Sequence, residues 1–274
     1  MKKLKAMRVW MGIVLVCLSL GGCVGNKEEK ENQKTEVPKE ESVTQRPQET
    51  DTAKQQFEYE VETKNLGGEG ITVQYPILVN TSDKTKADAI NDLIQKDIDH
   101  VIEKIKADTD NTSGVTIDSN YNYANEFDHL LSIQYLGTRF VKEAAYPVAF
   151  NHTITLSIEE KAVIPLSDLF VIDEAFVQAF KLGNYAPYTK DLDLEVSGVN
   201  VVDLITQEYT EEELIDVFQK SDANYSMKGQ GIILSIEVPH VVGDHLEMAV
   251  NYEALESNIK KEHPVWKDYM FLAK

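Results

Sequence analysis

The stretch GITVQYPILVNTSDKTKADAINDLIQKDIDHVIEKIKAD, residues 70 to 108, joins two patterns that predict different secondary structures. Its first part is a short run of alternating or continuous apolar residues, which is typical of a β-strand. From Asp83 to Asp108 the apolar residues recur at three- and four-residue steps, which predicts a long amphipathic helix that Thr81, Ser82 or Asp83 can cap. The apolar face of this helix consists of Ala87, Ile90, Leu93, Ile94, Ile98, Val101, Ile102 and Ile105.

Further strand patterns lie on both sides of this stretch. In VAFNHTITLSI, residues 148 to 158, every second residue from Phe150 to Ile158 lies on one predicted face, and that face includes His152. Successive strands of this kind predict an antiparallel meander. The predicted strands cover residues 57–65, 114–127, 129–137 and 148–158.

The second half of the chain predicts a mixture of helices and strands. Together with the first half, this order indicates an α+β fold with mostly antiparallel sheets and packed helices. We expect two α+β subdomains, at residues 57–160 and 161–274. The later elements are a helix capped by Ser167 or Asp168, a helix after a capping box at Thr210–Glu213, a hairpin at residues 228–231, a strand at 246–250 and a helix from Tyr252 to about Lys261.

The N-terminus has the organisation of a bacterial export signal. A basic segment, MKKLKAMR, precedes a dozen mostly apolar residues that are too few to span a bilayer comfortably. The exit, Leu20-Gly21-Gly22-Cys23, resembles a bacterial lipobox. The resemblance implies a lipoprotein signal peptide at residues 1–22 and a mature N-terminus at Cys23 whose thiol carries lipid.

Residues 23–56 combine the lipidated Cys23 with a predicted disordered tether. The segment consists mainly of Lys, Glu, Gln, Thr, Asn and Pro, and it has too few large apolar side chains to offset the entropy cost of ordering. We therefore expect the folded part to be attached to the extracytoplasmic face of the cell membrane through its N-terminal lipid, without spanning the membrane.

Charge and cysteine content exclude several classes of protein. The formal net charge is −19, and loss of the four cations in the signal peptide makes it −23. Such a charge repels nucleic acid and favours basic partners, although a charged surface also serves solubility alone. The two cysteines, Cys17 and Cys23, both lie in the N-terminal segment. The folded part therefore has no disulfide, thiol nucleophile or cysteine-ligated zinc.

Several short motifs occur in an order that resembles a known bacterial envelope domain. They are Tyr75-Pro76, Ile90–Ile94, Leu131–Tyr135, Glu143–Pro147, Asn151-His152, Ile164–Phe170, and Gly231–Leu234 followed by Val238–His240 and Gly243. The order resembles the extracellular domain pair of the lysozyme-sensing anti-sigma factor RsiV. It is similar also to the non-catalytic N-terminal region of PdaC-type peptidoglycan deacetylases and to Gram-positive lipoproteins.

The resemblance implies a function, and the sequence departs from the family at two motifs. Glu143–Pro147 reads EAAYP where the family often has GAAHP, and Pro239–Gly243 has His where the family has Tyr. The resemblance implies a non-enzymatic binding domain without a cofactor, with lysozyme or peptidoglycan as its ligand. A wall hydrolase or deacetylase with an unrecognised site, and an accessory domain for a partner enzyme, stay open as alternatives.

Six residues are candidates for ligand binding. Aromatic residues in loops can stack on sugars or anchor a protein partner, and they can also cap the core. Two histidines flank VVGD at residues 241–244; with Asp244 they can approach one metal, although an ordinary hairpin turn is the simpler interpretation. We predict no metal site. The six candidates are Tyr146, Pro147, Tyr185, Tyr188, His240 and His245.

The sequence contains no recognisable catalytic motif. It has no G-x-S-x-G, H-E-x-x-H, Walker A or G-x-G-x-x-G pattern, so we predict no catalytic residue. Asp191, Asp193 and Glu195 alternate with apolar residues and predict a strand with an acidic face. Such a face is usually solvated, although it can also hold calcium.

Overall fold

The computed structural model describes residues 57–68, 70–107, 114–126, 129–188 and 193–268. The predicted signal peptide at residues 1–22, the predicted lipidation of Cys23 and the predicted tether at 23–56 lie outside the described residues. No helix within the described ranges combines the length and apolar character needed to cross a bilayer.

The first sheet contains six strands in the spatial order β1-β2-β3-β4-β5-β6. All neighbouring pairs are antiparallel except β2 and β3, which are parallel. The predicted meander is therefore present in β3, β4 and β5. The strands are β1 Glu60–Gly68, β2 Ile71–Val79, β3 Val115–Glu126, β4 Leu130–Val141, β5 Val148–Ser157 and β6 Ala162–Val163.

The long helix α1, Lys84–Ala107, follows β2 as the sequence predicts. Asp83 caps it, because one Asp83 carboxylate oxygen accepts a hydrogen bond of 3.0 Å from the backbone N–H of Lys86. The buried residues of α1 pack with those of β2 to β5 in one hydrophobic core. The buried face consists of Ala87, Ile90, Ile94, Ile98, Ile102 and Ile105.

The second sheet contains four strands in the order β7-β10-β9-β8, all antiparallel. Four short helices accompany it and share a second hydrophobic core with it. The elements are α2 Leu166–Leu169, α3 Glu174–Lys181, β7 Asn184–Tyr185, α4 Val201–Glu208, α5 Glu211–Gln219, β8 Tyr225–Lys228, β9 Gly231–Glu237 and β10 His245–Asn251. Short 3-10 helices cover His240–Val242, Tyr252–Leu255 and Pro264–Asp268.

The α+β prediction is confirmed by this mixture of helices and mostly antiparallel strands. The capping box is also confirmed: the Thr210 side chain accepts from the backbone of Glu213, whose side chain accepts from the backbone of Thr210. The boundary between subdomains near residue 160 stays a prediction.

Three local predictions are wrong. Ser167 and Asp168 do not cap a helix, because α2 contains them both and the next helix, α3, is capped by Asp173. The predicted helix from Tyr252 to Lys261 forms only one 3-10 turn. Beyond it, the Asn258 side chain donates a hydrogen bond to the backbone oxygen of Val171. This tertiary contact is present where the sequence pattern predicted a continued helix.

The predicted acidic strand is also wrong where the structure describes it. Leu194 to Gly198 form a turn in which Asp193 accepts from the backbone N–H of Val196. Asp191 lies outside the described residues. The turn forms because the Asp193 side chain satisfies a local backbone donor, as Asp commonly does outside strands.

The two sheets meet along a seam of buried hydroxyl groups. The Thr153 hydroxyl of β5 accepts a 2.7 Å hydrogen bond from the backbone N–H of Tyr225. The Ser132 hydroxyl of β4 accepts from the backbone N–H of Met227 at 3.2 Å. Strand β8 is an edge strand, and these hydroxyl groups take the place of a further strand along its outer edge.

Candidate functional site

The turn between β9 and β10 organises the candidate site; we call Pro239–Asp244 the His240 turn. Its 3-10 segment ends at Gly243, which has a φ of 112°, and Asp244 follows with a φ of 70°. Both values lie in the left-handed region, which Gly adopts freely and Asp tolerates. This reversal brings Glu237 of β9 opposite His245 of β10.

The Asp244 carboxylate ties the His240 turn to the start of β5. One of its oxygens accepts a 2.6 Å hydrogen bond from the backbone N–H of Ala149. The other lies 2.9 Å from Nδ1 of His240. Only 10% of the Asp244 side chain is exposed. The carboxylate therefore fixes both the turn and the ring of His240 against the loop that precedes β5.

Tyr146 and His240 form an exposed aromatic pair. Their ring centroids are 3.8 Å apart, and the planes of the rings differ by 6°. Tyr146 is 49% exposed, and the neighbouring Pro147 and Val241 are also exposed. We call these four residues the aromatic rim. They present a rigid, partly apolar surface beside an ordered turn.

Tyr188 covers the inner side of the same turn. Its hydroxyl donates a 2.7 Å hydrogen bond to the backbone oxygen of Gly243, and its ring stacks on that of His245 at 3.9 Å. Burial raises the pKa of Tyr188, and the carboxylate of Asp244 adds to this rise. The side chain of His245 points into the protein, and its ring nitrogens have no hydrogen-bond partner among the described residues.

Glu247 lies beneath His245 on the same face of β10. The Glu247 residue is 5% exposed, and its Oε1 accepts a 2.6 Å hydrogen bond from Nε2 of Gln134. Burial raises the pKa of Glu247 to about 7, although the bond from Gln134 opposes that rise. Burial also lowers the pKa of His245 to about 4, against the attraction of Asp244. At neutral pH His245 is therefore uncharged, and its 3.7 Å approach to Glu247 is not an ion pair.

A cleft of about 350 Å³ lies between α1, β5 and β9. Several of its charged residues bind each other. His152 Nε2 lies 2.8 Å from an oxygen of Asp97, and its ring stacks on Tyr135. Lys104 and Asp222 form another pair at 2.9 Å. These four groups satisfy one another, whereas His100, Arg139 and Glu237 line the same cleft without an ion pair to another described residue.

The structure brings most of the predicted ligand-binding residues together, in two layers. Tyr146, Pro147 and His240 lie on the exposed rim, whereas Tyr188 and His245 form the buried layer behind it. Tyr185 lies on β7, pairs with Met248 and packs half-buried against the second core.

Sequence reasoning assigned no supporting role to Asp244, Glu247 or Gln134. Asp244 entered only as a possible metal ligand, and no group of three His, Cys, Asp or Glu residues among those described is placed to hold a metal ion. Glu247 is the single acid in the apolar strand LEMAV, and this position is the signal by which the sequence could have identified it. Gln134 gave no comparable signal, because its bond to Glu247 joins residues far apart in the sequence.

Comparisons with known proteins give only distant similarities. No family model and no curated protein matches the chain significantly. A solved DUF3298 family protein from Pseudomonas aeruginosa PAO1 is 14% identical, with a TM-score of 0.43, over 74% of this chain and 94% of that one. A DUF3298 family member from Bacteroides fragilis NCTC 9343 is 13% identical, with a TM-score of 0.40, over 74% of this chain and 92% of that one. Similarities at this level carry no conclusion about ligand or activity.

Proposed function

We propose that this chain is a lipid-anchored envelope protein whose folded domain binds an extracytoplasmic ligand without catalysing a reaction. Lysozyme is the leading candidate ligand, and peptidoglycan is the second. The lipidated Cys23 holds the protein at the outer face of the membrane, and the tether to residue 56 separates the folded domain from the lipid surface.

The aromatic rim is the observation that carries this proposal. Interface hot spots are enriched in Tyr, Trp and Arg residues that project from a rigid support. Tyr146 fits this description because it is 49% exposed and stacks on His240, which Asp244 holds in place. A preordered side chain loses little conformational entropy when it binds a partner.

The charge of the domain supports a basic protein as the ligand. The full chain has a formal net charge of −19. Opposite net charges increase the rate of association and make it sensitive to salt. Lysozyme is basic, and it encounters proteins at the outer face of the cell envelope.

Accessibility favours binding over the hydrolase or deacetylase alternative. Two groups with large pKa shifts, His245 and Glu247, are only 6% and 5% exposed, so a substrate has little access to them. In the cleft beside α1, Asp97 is bound to His152 and Asp222 to Lys104. His100 and Glu237 also line that cleft, and they are the groups through which the enzyme alternative would act as general acid or base.

Titration calorimetry of the purified protein tests the proposal. We expect hen lysozyme to bind, and a rise from 50 to 300 mM salt to weaken the binding as the charges are screened. Purified muropeptides serve as the second ligand. Absence of heat with both ligands contradicts the proposal, and turnover of a muropeptide by the protein favours the enzyme alternative instead.

A further inference from the structure

A second cleft, distant in sequence from the aromatic rim, opens where β2 and β3 separate. The two strands pair only over Ile71–Val73 and Ile117–Ser119. Beyond Ser119, β3 continues to Glu126 while it pairs with β4 on its other edge. The separation leaves a cleft of about 690 Å³, with β8 contributing to its wall. We call this space the β3 cleft; its size is within the range of small-molecule sites.

The lining of the β3 cleft is unusual for so acidic a protein. The chain contains 46 Asp and Glu residues, yet none of the described residues that line this cleft is Asp or Glu. The lining instead consists mainly of hydroxyl, amide and phenol groups with one cation, Lys228. The negative potential of the protein surface is therefore weaker at the β3 cleft. The cleft suits a neutral or anionic ligand better than a basic one.

Several polar groups in the β3 cleft are available to a ligand. The side chains of Gln74, Asn122 and Ser226 make no hydrogen bond with the described part of the chain, and Lys228 makes no ion pair there. Amides and hydroxyls both donate and accept hydrogen bonds, whereas the lysine ammonium only donates. The cleft therefore offers a mixed set of donors and acceptors and one site for an anionic group.

Two tyrosines supply an aromatic surface in the same cleft. The ring centroids of Tyr121 and Tyr123 are 6.3 Å apart, and the planes differ by 27°. The Tyr121 hydroxyl is 2.9 Å from the hydroxyl of Thr63, which fixes its ring, and Tyr123 is 48% exposed. A sugar ring has a face of C–H groups that packs on an aromatic ring, and its edge carries hydroxyl groups that bond to amides and hydroxyls.

We propose that the β3 cleft binds an N-acylated oligosaccharide that carries a carboxylate group. A sugar ring packs on Tyr123, the hydroxyl and acyl groups bond to Gln74, Asn122 and Ser226, and the carboxylate pairs with Lys228. This site is separate from the aromatic rim. The inference is independent of lysozyme binding, and it deepens the second ligand class of the proposed function, peptidoglycan, by assigning its glycan to the β3 cleft.

A peptide is the competing occupant, because the free edge of β3 can in principle pair with an added strand. Such recognition normally also uses pockets for alternate side chains of the peptide. The described lining has only two aliphatic residues, Ala124 and Ile233, and its remaining side chains are polar or phenolic. The lining therefore favours a saccharide.

The test is titration of the purified protein with three saccharides and one peptide, followed by NMR or calorimetry. The disaccharide N-acetylglucosaminyl-N-acetylmuramic acid carries both the acyl groups and the carboxylate. Chitotriose has the acyl groups without the carboxylate, and an oligomer of hexuronic acid has carboxylates without acyl groups. A wall-type tetrapeptide represents the competing occupant.

We expect the disaccharide to bind most tightly of the four. Tyr123→Ala should weaken its binding at least about tenfold, which is the change expected on loss of a well-packed aromatic contact. Lys228→Gln should weaken binding of the disaccharide and leave that of chitotriose unchanged. Tyr146→Ala, on the aromatic rim, separates the two sites: Tyr146 and Tyr123 are similarly exposed, at 49% and 48%, and loss of disaccharide binding in the Tyr146 variant assigns the disaccharide to the rim and overturns the inference.

Four further outcomes overturn the inference. One is the absence of binding by any saccharide at millimolar concentration. Another is saccharide binding that is indifferent to Tyr123→Ala. The third is tighter binding of the tetrapeptide, which assigns the cleft to peptides. The fourth is tighter binding of the hexuronate oligomer than of the disaccharide, which would mean that the cleft binds acidic polysaccharides and does not recognise the N-acyl group. Circular dichroism of each variant separates a lost site from a lost fold.

Discussion

The ring of Tyr146 lies parallel to that of His240, with centroids 3.8 Å apart, although the two residues are 94 positions apart in the sequence. The contact joins the loop before β5 to the turn after β9. Asp244 supports it from behind through its bonds to His240 and to the backbone of Ala149. The exposed pair is therefore part of the tertiary structure and is not a mobile side chain on a loop.

Replacement of Tyr146 by Ala tests the rim as a binding surface. Loss of a hot-spot tyrosine typically costs at least about 2 kcal/mol, which corresponds to roughly a 30-fold weaker affinity. We expect this loss for hen lysozyme in calorimetry, with little change in the free energy of unfolding. Tyr123→Ala removes an equally exposed tyrosine from another surface and should leave lysozyme affinity unchanged. Equal effects of the two variants would contradict a specific role for the rim.

The opposed pKa shifts of Glu247 and His245 predict a compensated pH dependence. The raised pKa of Glu247, about 7, lowers stability as the pH rises from the unfolded value near 4.5 to about 7. The lowered pKa of His245, about 4, lowers stability as the pH falls from the unfolded value near 6.5 to about 4. The two slopes have opposite signs between pH 4.5 and 6.5, so they largely cancel there.

Glu247→Gln removes one of these slopes and retains an acceptor for Gln134. We expect the variant to be more stable than the parent by roughly 3 kcal/mol at pH 8 and to differ little from it at pH 4.5. Its stability should rise with pH between 4 and 6.5, because only the His245 contribution is left. Urea unfolding at several pH values measures both effects. A constant difference across this range would show that the pKa of Glu247 is the same in the folded and the unfolded protein.

The lipid anchor is tested by Cys23→Ser. Serine at position 23 has no thiol that can receive acyl chains. Each methylene of such a chain that is buried in the membrane contributes about 0.8 kcal/mol to attachment. We expect wild-type protein in the membrane fraction with incorporated labelled palmitate, and the variant without label. Cys17→Ser is the matched control and should keep the label. Labelled palmitate on the Cys23→Ser protein would contradict the assignment.

The sequence was sufficient to predict elements whose signals are local. The apolar spacing of α1 identified its buried face, and Thr210 with Glu213 identified the start of α5. The predicted helix at Tyr252–Lys261 was wrong because its helical pattern competes with contacts that only the tertiary structure supplies. Asn258, for example, bonds to Val171 and Asp173, more than 80 residues earlier in the chain.

The candidate site was predictable in its aromatic residues and not in their support. Tyr146 and His240 attract attention as an aromatic residue and a histidine in loops, because such residues commonly bind ligands. Their mutual contact, and the bond from Ala149 to Asp244, depend on how β5 approaches the His240 turn. Likewise, β5 has an apolar face that the sequence reveals, whereas the burial of Thr153 on the other face depends on β8.

The hydroxyl seam predicts that Thr153→Val destabilises the fold. Valine has nearly the shape of threonine but cannot accept the 2.7 Å bond from the backbone N–H of Tyr225. A buried donor left without an acceptor costs about 1–3 kcal/mol. Amide hydrogen exchange at Tyr225 should become faster in this variant. Thr153→Ser keeps the hydroxyl and should keep the protection; equal exchange in both variants would mean that the hydroxyl does not bind β8.

Asp244→Ala should disturb both the stability and the rim. Alanine at a φ of 70° is strained by about 1–2 kcal/mol, and the substitution also removes the acceptors of Ala149 N–H and His240 Nδ1. Asp244→Gly removes the same acceptors without the strain, so the difference between the two variants measures the strain less the extra backbone entropy that Gly loses on folding. Asp244→Asn tolerates the left-handed conformation and keeps one side-chain oxygen. We therefore expect stability in urea unfolding to decrease in the order Asp, Asn, Gly, Ala.

Lysozyme affinity should fall in the Asp244→Gly variant even where it is fully folded, because His240 and Tyr146 lose their support. Unchanged affinity in that variant would show that the rim is held by other contacts.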